Sequence, residues 1–167
     1  MQARRVHVTG NAGAGKTTFA TLLGRELGLP VFSLDSVVWQ PGWRKTPPDE
    51  RERLETLLIQ RPAWVIEGVS QRVRDAADFV VFLDLPRRVC LWRVLRRYVR
   101  HFGDIRPGLP PGCVEWRILP RLLRVVWTFP ANAGTKIRSD APRDEGRYHT
   151  LLETPKLAPL LQRLRGP

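Results

Sequence analysis

The sequence predicts an α/β fold in three layers, a five-stranded parallel sheet covered by helices on both faces. Three observations predict it. Short strand-like runs alternate with stretches of helical apolar spacing along the chain. The run DFVVFLD at 78–84 is apolar without alternation, as in a strand buried on both faces. The glycine-rich stretch GNAGAGKT at 10–17 stands between a strand pattern and a helix pattern, where a phosphate-binding turn belongs.

The elements follow in order. RRVHVT at 4–9 alternates Val6 and Val8 and reads as the first strand. From Lys16 to Leu27 the apolar residues Phe19, Leu22, Leu23 and Leu27 recur at helical spacing, and Gly28 stops the helix. PVFSLD at 30–35 is the second strand, and the Pro- and Gly-rich stretch 40–49 is loop. PDERERLETLLIQR is a helix with Pro48 near its start and Leu54, Leu57 and Leu58 inward. AWVIEG at 63–68 and the 78–84 run are the third and fourth strands. Pro86 opens a long basic helix to about Phe102, then comes the loop GDIRPGLPPG. A basic, apolar segment from about Glu115 to Phe129 is interrupted by Pro120. The stretch 130–146 reads as irregular, GRYHTLLET is the fifth strand, and a short helix follows from Pro155.

At 167 residues and 43% hydrophobic content, the chain is expected to form one globular domain, residues 1–167. No run nears the length of a membrane span, and MQARRVHVTG has no signal-peptide pattern, so a cytoplasmic protein without a membrane partner is expected. Two cysteines suit neither a disulfide framework nor a metal cluster, and Cys90 is expected in the core. The net charge of +12 is concentrated. Between Pro86 and Arg124, ten arginines face only Asp104 and Glu115, a surplus of +8. Such a face attracts polyanions, nucleotides among them.

Gly10, Gly15, Lys16 and Thr17 satisfy G-x-x-x-x-G-K-[ST], the P-loop of nucleoside-triphosphate-binding folds. The stretch Gly10, Asn11, Ala12, Gly13, Ala14, Gly15, Lys16, Thr17 and Thr18 is therefore expected to bind ATP. Its N–H groups would curl around the phosphates, Lys16 would reach the β- and γ-phosphates, and Thr17 would hold Mg²⁺. Three carboxylates, Asp35, Glu67 and Asp84, stand at strand ends, the edge of a parallel sheet where ligands bind. Phosphoryl transfer uses one acid to orient the metal and usually another to align the accepting hydroxyl. Gly68, after Glu67, suits a close approach of substrate to the backbone. Asp35 and Asp84 equally suit helix caps or turns.

Arg93, Arg97 and Arg100 form one stripe of the basic helix, and Leu91, Leu95, Tyr98 and Phe102 another. Two readings stand: an amphipathic helix with a solvated face, or a lid whose arginines clamp the transferring phosphate. Trp39, Trp43, Trp92, Trp116 and Trp127 are expected mainly in the core.

The stretches HVTGNAGAGKTT, LPVFSLDSVVWQPGW, WVIEG, VVFLDLPRRVCLWRVLRRYVR and TFP together resemble the bacterial topology-modulation-protein family, similar to adenylate kinase and other small-molecule P-loop kinases. The resemblance spans most of residues 4–130. It implies a nucleoside-monophosphate-kinase-like fold with an arginine-rich helical lid at about 86–129. It implies that Asp35 and Trp39 lie in the acceptor region and that Glu67 and Gly68 occupy the usual aspartate-glycine position. Glu67 would then join Thr17 at the metal, and Arg93 and Arg97 would be lid arginines beside Lys16. The loop Thr154–Lys156 would sit near the base. The sequence departs from the pattern where Glu67 replaces aspartate and where the segment after Gly68 is short. The implied activity is transfer of the γ-phosphoryl group of Mg-ATP to a nucleotide or other small-molecule acceptor. The alternative is a nucleic-acid-associated ATPase or regulator using 86–124, against which the absence of a DNA-reading motif counts.

Overall fold

The computed structural model describes residues 4–100, 110–141 and 146–152, with Leu161 and Leu164. Five strands form one sheet: β1 (Arg5–Gly10), β2 (Val31–Ser33), β5 (Trp64–Glu67), β6 (Phe79–Leu83) and β7 (Tyr148–Leu151). Their order is β2-β5-β1-β6-β7, and every pairing is parallel. Two further strands, β3 (Trp39–Gln40) and β4 (Arg44–Lys45), make a small antiparallel hairpin.

The pleat of β1 and β6 divides the core. Val6, Val8, Val81 and Leu83 enter one cluster with Phe19 and Leu23 of α1 (Lys16–Leu27), Cys90 and Val94 of α5 (Arg87–Arg100), and Val126 of α6 (Leu119–Thr128). Val80, Phe82, Ile66 and Trp64 enter the other with Val37 of α2 (Asp35–Val38), Leu54 of α3 (Pro48–Ile59), Val73 of α4 (Gln71–Ala76) and Ile137 of α7 (Ala133–Asp140). The expected three layers are therefore present. Asp78 pins the start of β1 at its base, accepting from the Arg4 and Arg5 amides and the Arg5 guanidinium.

Several expectations are corrected. The stretch 130–146, read as irregular, contains α7, which buries Gly134 and Ile137. With a single buried branched residue it shows no periodicity in sequence, and tertiary packing stabilises it. Pro120 interrupts the segment from Glu115 as expected, and does so by opening a new helix: a 3₁₀ turn (Glu115–Ile118) gives way to α6, with Pro120 in its first turn, where its missing N–H costs nothing. The loop 40–49 contains β4 and part of the hairpin. Leu57 is half exposed, while Glu55 on the same helix is buried. Trp92 and Trp127 are exposed rather than core, each with an arginine, Arg96 and Arg87, over its ring. Trp39 and Trp43 are half-buried, and Trp64 is fully buried in the core. Cys90 is fully buried, as expected. Phe102, most of the loop 103–112, the side chain of Trp116, Thr154–Lys156 and most of the expected terminal helix lie outside the described residues.

Candidate active site

The loop from Gly10 to Gly15 joins the C-terminal end of β1 to the N-terminus of α1, where Gly15 adopts a left-handed conformation (φ 93°). The loop is wedged against its neighbours. A Cβ on Gly13, itself at φ 81°, would stand 2.5 Å from the Cys90 carbonyl oxygen of α5. Arg93 on that helix donates to the Ala14 carbonyl at 3.3 Å. The buried Asn11 side chain donates to the Val126 carbonyl of α6 at 2.8 Å, and its Oδ1 accepts from the Ala12 amide. Asn11 thus braces the loop with its side chain and can offer a phosphate only its backbone. Lys16 folds over the loop, its ammonium 2.9 Å from the Asn11 carbonyl oxygen. Thr17 and Thr18 occupy the exposed first turn of α1.

At the end of β5, Glu67 is only 3% exposed. One of its oxygens, Oε1, accepts from Thr17 Oγ1 at 3.2 Å and from Ser33 Oγ at 2.5 Å. The Ser33 hydroxyl in turn accepts from the Asp35 amide at 3.3 Å. One hydroxyl thereby links the Glu67 carboxylate to the backbone of Asp35. Parallel pairing of β2 with β5, which sets Ser33 beside Glu67, produces this arrangement. Sequence reading missed Ser33. Its position two residues before Asp35 at a strand end was the available signal. Asp35 itself does not end the strand but begins α2.

Gly68 serves packing: a Cβ there would stand 2.6 Å from Leu34 Cβ. Its carbonyl lies 3.2 Å from Nε2 of the fully buried His7. Burial drives the His7 pKa down to about 3; the Gly68 contact opposes this, and Arg74 and Lys16 add to it. His7 is therefore neutral and donates from Nε2.

Arg97 lies one turn beyond Arg93 on α5 and is half-buried. Trp39 stands edge-on to Trp43, ring centroids 5.2 Å apart, with the Arg121 guanidinium of α6 over its ring at 5.3 Å. Trp43 is the sole non-glycine residue at positive φ (62°) among the described residues. Its indole donates to the Val114 carbonyl at 2.9 Å, tying the hairpin to the segment before α6. Asp84 is engaged elsewhere, in a two-pronged pair with Arg138 of α7 at 2.5 and 2.6 Å.

The oxygen chemistry suits a hard divalent cation. The Thr17 hydroxyl and Glu67 carboxylate meet at the N-terminus of α1, and Mg²⁺ takes one or two such protein oxygens beside phosphate and water. The curled loop suits a polyphosphate. Among the described residues no group of three or more His, Cys, Asp or Glu side chains forms a metal cluster. No described helix is long and apolar enough to cross a membrane.

No protein-family model and no curated protein matches the chain. Solved structures do. A shikimate kinase from Acinetobacter baumannii, in complex with shikimate, is 21% identical with a TM-score of 0.55, covering 95% of this chain and 88% of that one. A gluconokinase from Sinorhizobium meliloti 1021 is 17% identical with a TM-score of 0.52, covering 97% and 89%. At these identities the likeness is one of fold: the chain has the P-loop NTPase kinase fold.

Proposed function

We propose that this chain is a P-loop kinase that transfers the γ-phosphoryl group of Mg-ATP to a hydroxyl of a small-molecule or nucleotide acceptor. The observation that carries this reading is the convergence of Thr17 and Ser33 on one Glu67 oxygen, with the Asp35 backbone amide donating to the same Ser33 hydroxyl at the adjoining strand end. A nucleotide grip alone needs no second acid at the adjoining strand end. A transferase does, because the accepting hydroxyl must be aligned and relieved of its proton.

The roles follow from position. The loop amides from Gly10 to Thr18 hold the ATP phosphates, and Lys16 swings from the Asn11 carbonyl to the β- and γ-oxygens. Thr17 and Glu67 hold Mg²⁺, which supplies charge neutralisation on the phosphates when bound. Ser33 orients Glu67. Asp35 accepts the proton of the attacking hydroxyl, and Gly68 and Trp39 border the acceptor. Arg93 and Arg97, on a lid spanning about 86–129 of a single 1–167 domain, neutralise charge that develops in transfer. The structural neighbours named as shikimate kinase and gluconokinase support a small hydroxylated acceptor.

The test measures ADP release from Mg-ATP across a panel of nucleoside monophosphates and hydroxylated metabolites, alongside duplex-DNA binding at several salt concentrations. Stimulation of ADP release by an acceptor, with matching phosphorylated product, supports the kinase. Steep salt-dependent DNA affinity with no stimulating acceptor sinks it in favour of a nucleic-acid-associated ATPase.

A further inference from the structure

Beside Gly68 a cavity of about 530 Å³ opens between the start of α3, the β4 end, the turn into α4 and α7. None of the residues that line it belongs to the phosphate loop or its acids. Its volume falls in the ordinary range for small-molecule sites.

Its walls are unusual in charge. Lys45, Arg51, Arg72, Arg74 and Lys136 line it, against the carboxylates Glu52 and Glu55. Those acids are already engaged. Glu55 accepts from Arg51 and from Ser70, each at 2.8 Å, and Glu52 accepts from Arg72 at 2.6 Å. The buried Arg74 reaches Asp140 at 3.3 Å, and its Nε has no hydrogen-bond partner. Lys45 and Lys136 are exposed and carry no carboxylate partner among the described residues. The surplus is thus positive on two sides of the cavity. No aromatic ring lines it, so a nucleobase would find no stacking surface.

We infer that this cavity is an anion site distinct from the phosphate loop and its acids, and that its ligand is a small hydroxylated carboxylate or phosphate ester without a nucleobase. This goes beyond the kinase reading, and the anion site stands by itself. Lys45 and Lys136 would hold the anionic group, while Ser70 and Gln71 would offer polar contacts to hydroxyls. Charge-assisted contacts from two sides would discriminate the anion from its neutral analogue by tenfold or more, in the manner of other paired charged hydrogen bonds.

The test is a titration followed by backbone amide shifts in the full chain saturated with Mg²⁺ and a non-hydrolysable ATP analogue, so that the phosphate loop is filled. The probes are inorganic phosphate, gluconate, glucose and AMP. The expected result is saturable shifts at Ser70, Gln71 and Lys136 with phosphate and gluconate, and none with glucose. Affinity should fall at least tenfold in Lys45→Gln/Lys136→Gln, a surface change whose folding circular dichroism checks. No shift with phosphate and gluconate alike overturns the site. Glucose binding as well as gluconate overturns the charge reading, and AMP binding tighter than gluconate overturns the exclusion of a base. A parallel assay of ADP release separates the two proposals. Anion binding without transfer leaves this site standing and removes the kinase.

Discussion

At the scale of single residues, the site depends on hydrogen bonds too short-ranged to be read from spacing. Ser33 illustrates this. Its place at a strand end was the one cue in sequence, and the contact was not legible there: its hydroxyl donates to Glu67 and accepts from the Asp35 backbone amide. Ser33→Ala should therefore raise the Mg²⁺ concentration needed for tight nucleotide binding, measured by calorimetry, and lower turnover about 10-fold or more. Ser33→Thr, which keeps the hydroxyl on a strand, should restore most of both. A variant whose Mg²⁺ dependence matches the parent would remove Ser33 from the machinery. Lys16 was legible from the motif. Lys16→Ala should abolish acceptor-dependent ADP release while leaving the melting temperature nearly unchanged, because the ammonium donates to a carbonyl of the loop itself. Undiminished turnover would refute the assignment. Gly68 teaches the opposite lesson. It directly follows β5, and Leu34 packing against it accounts for the absent side chain.

At the scale of elements, α5 holds the basic stripe against the phosphate loop, since the Gly13 backbone, Cys90 and Arg93 are all in close approach. This separates the arginines by position. Arg93 touches the loop, whereas Arg100 at the far end is exposed. Arg93→Ala and Arg97→Ala should lower turnover by about 10-fold or more with a smaller change in ATP affinity, as measured by steady-state kinetics beside equilibrium binding. Arg100→Ala should resemble the parent. Equal, negligible effects at all three would make the stripe a solvated face. The longer elements were recoverable from pattern: α1, α3 and α5 carry two or more helical turns of spacing, and β6 carries a continuous apolar run. The shorter ones were not. α7 has one buried isoleucine, and β3 and β4 have two residues each. Elements this short owe their existence to what they pack on.

At the scale of the whole molecule, two cores back a sheet that carries polar residues in its central strand. His7 is the consequential one. It is fully buried, and its pKa lies near 3, below the ordinary 6.5. The unfolded chain therefore binds a proton that the folded chain refuses as pH falls below 6.5. His7's contribution to stability is complete above that value and is lost progressively down to about pH 3, by roughly 1.4 kcal/mol per unit. Asp78 adds a loss of the same sign: burial alone would raise its pKa, but hydrogen bonds from Arg5 and Arg4 hold it below the usual carboxylate value. His7→Gln keeps an amide to donate to Gly68 without a titrating group. Denaturant unfolding across pH should show a shallower acid loss in that variant than in the parent, and identical slopes would remove His7 as the cause.

Composition, motif and local alternation by themselves determined the layered parallel sheet, the glycine-rich loop between β1 and α1 and the location of the positive charge. Each is written in local order along the chain: a period of two or 3.6, a glycine-lysine spacing, a run of arginines. Tertiary structure alone decided that Ser33 joins Glu67 to Asp35, that Asp84 belongs to Arg138, and that Lys45 and Lys136 face one cavity across nearly a hundred residues. The physical reason is that strand order and register bring these groups together. Side-chain chemistry at several ångströms depends on that pairing, whereas the periodicity that forms each strand does not.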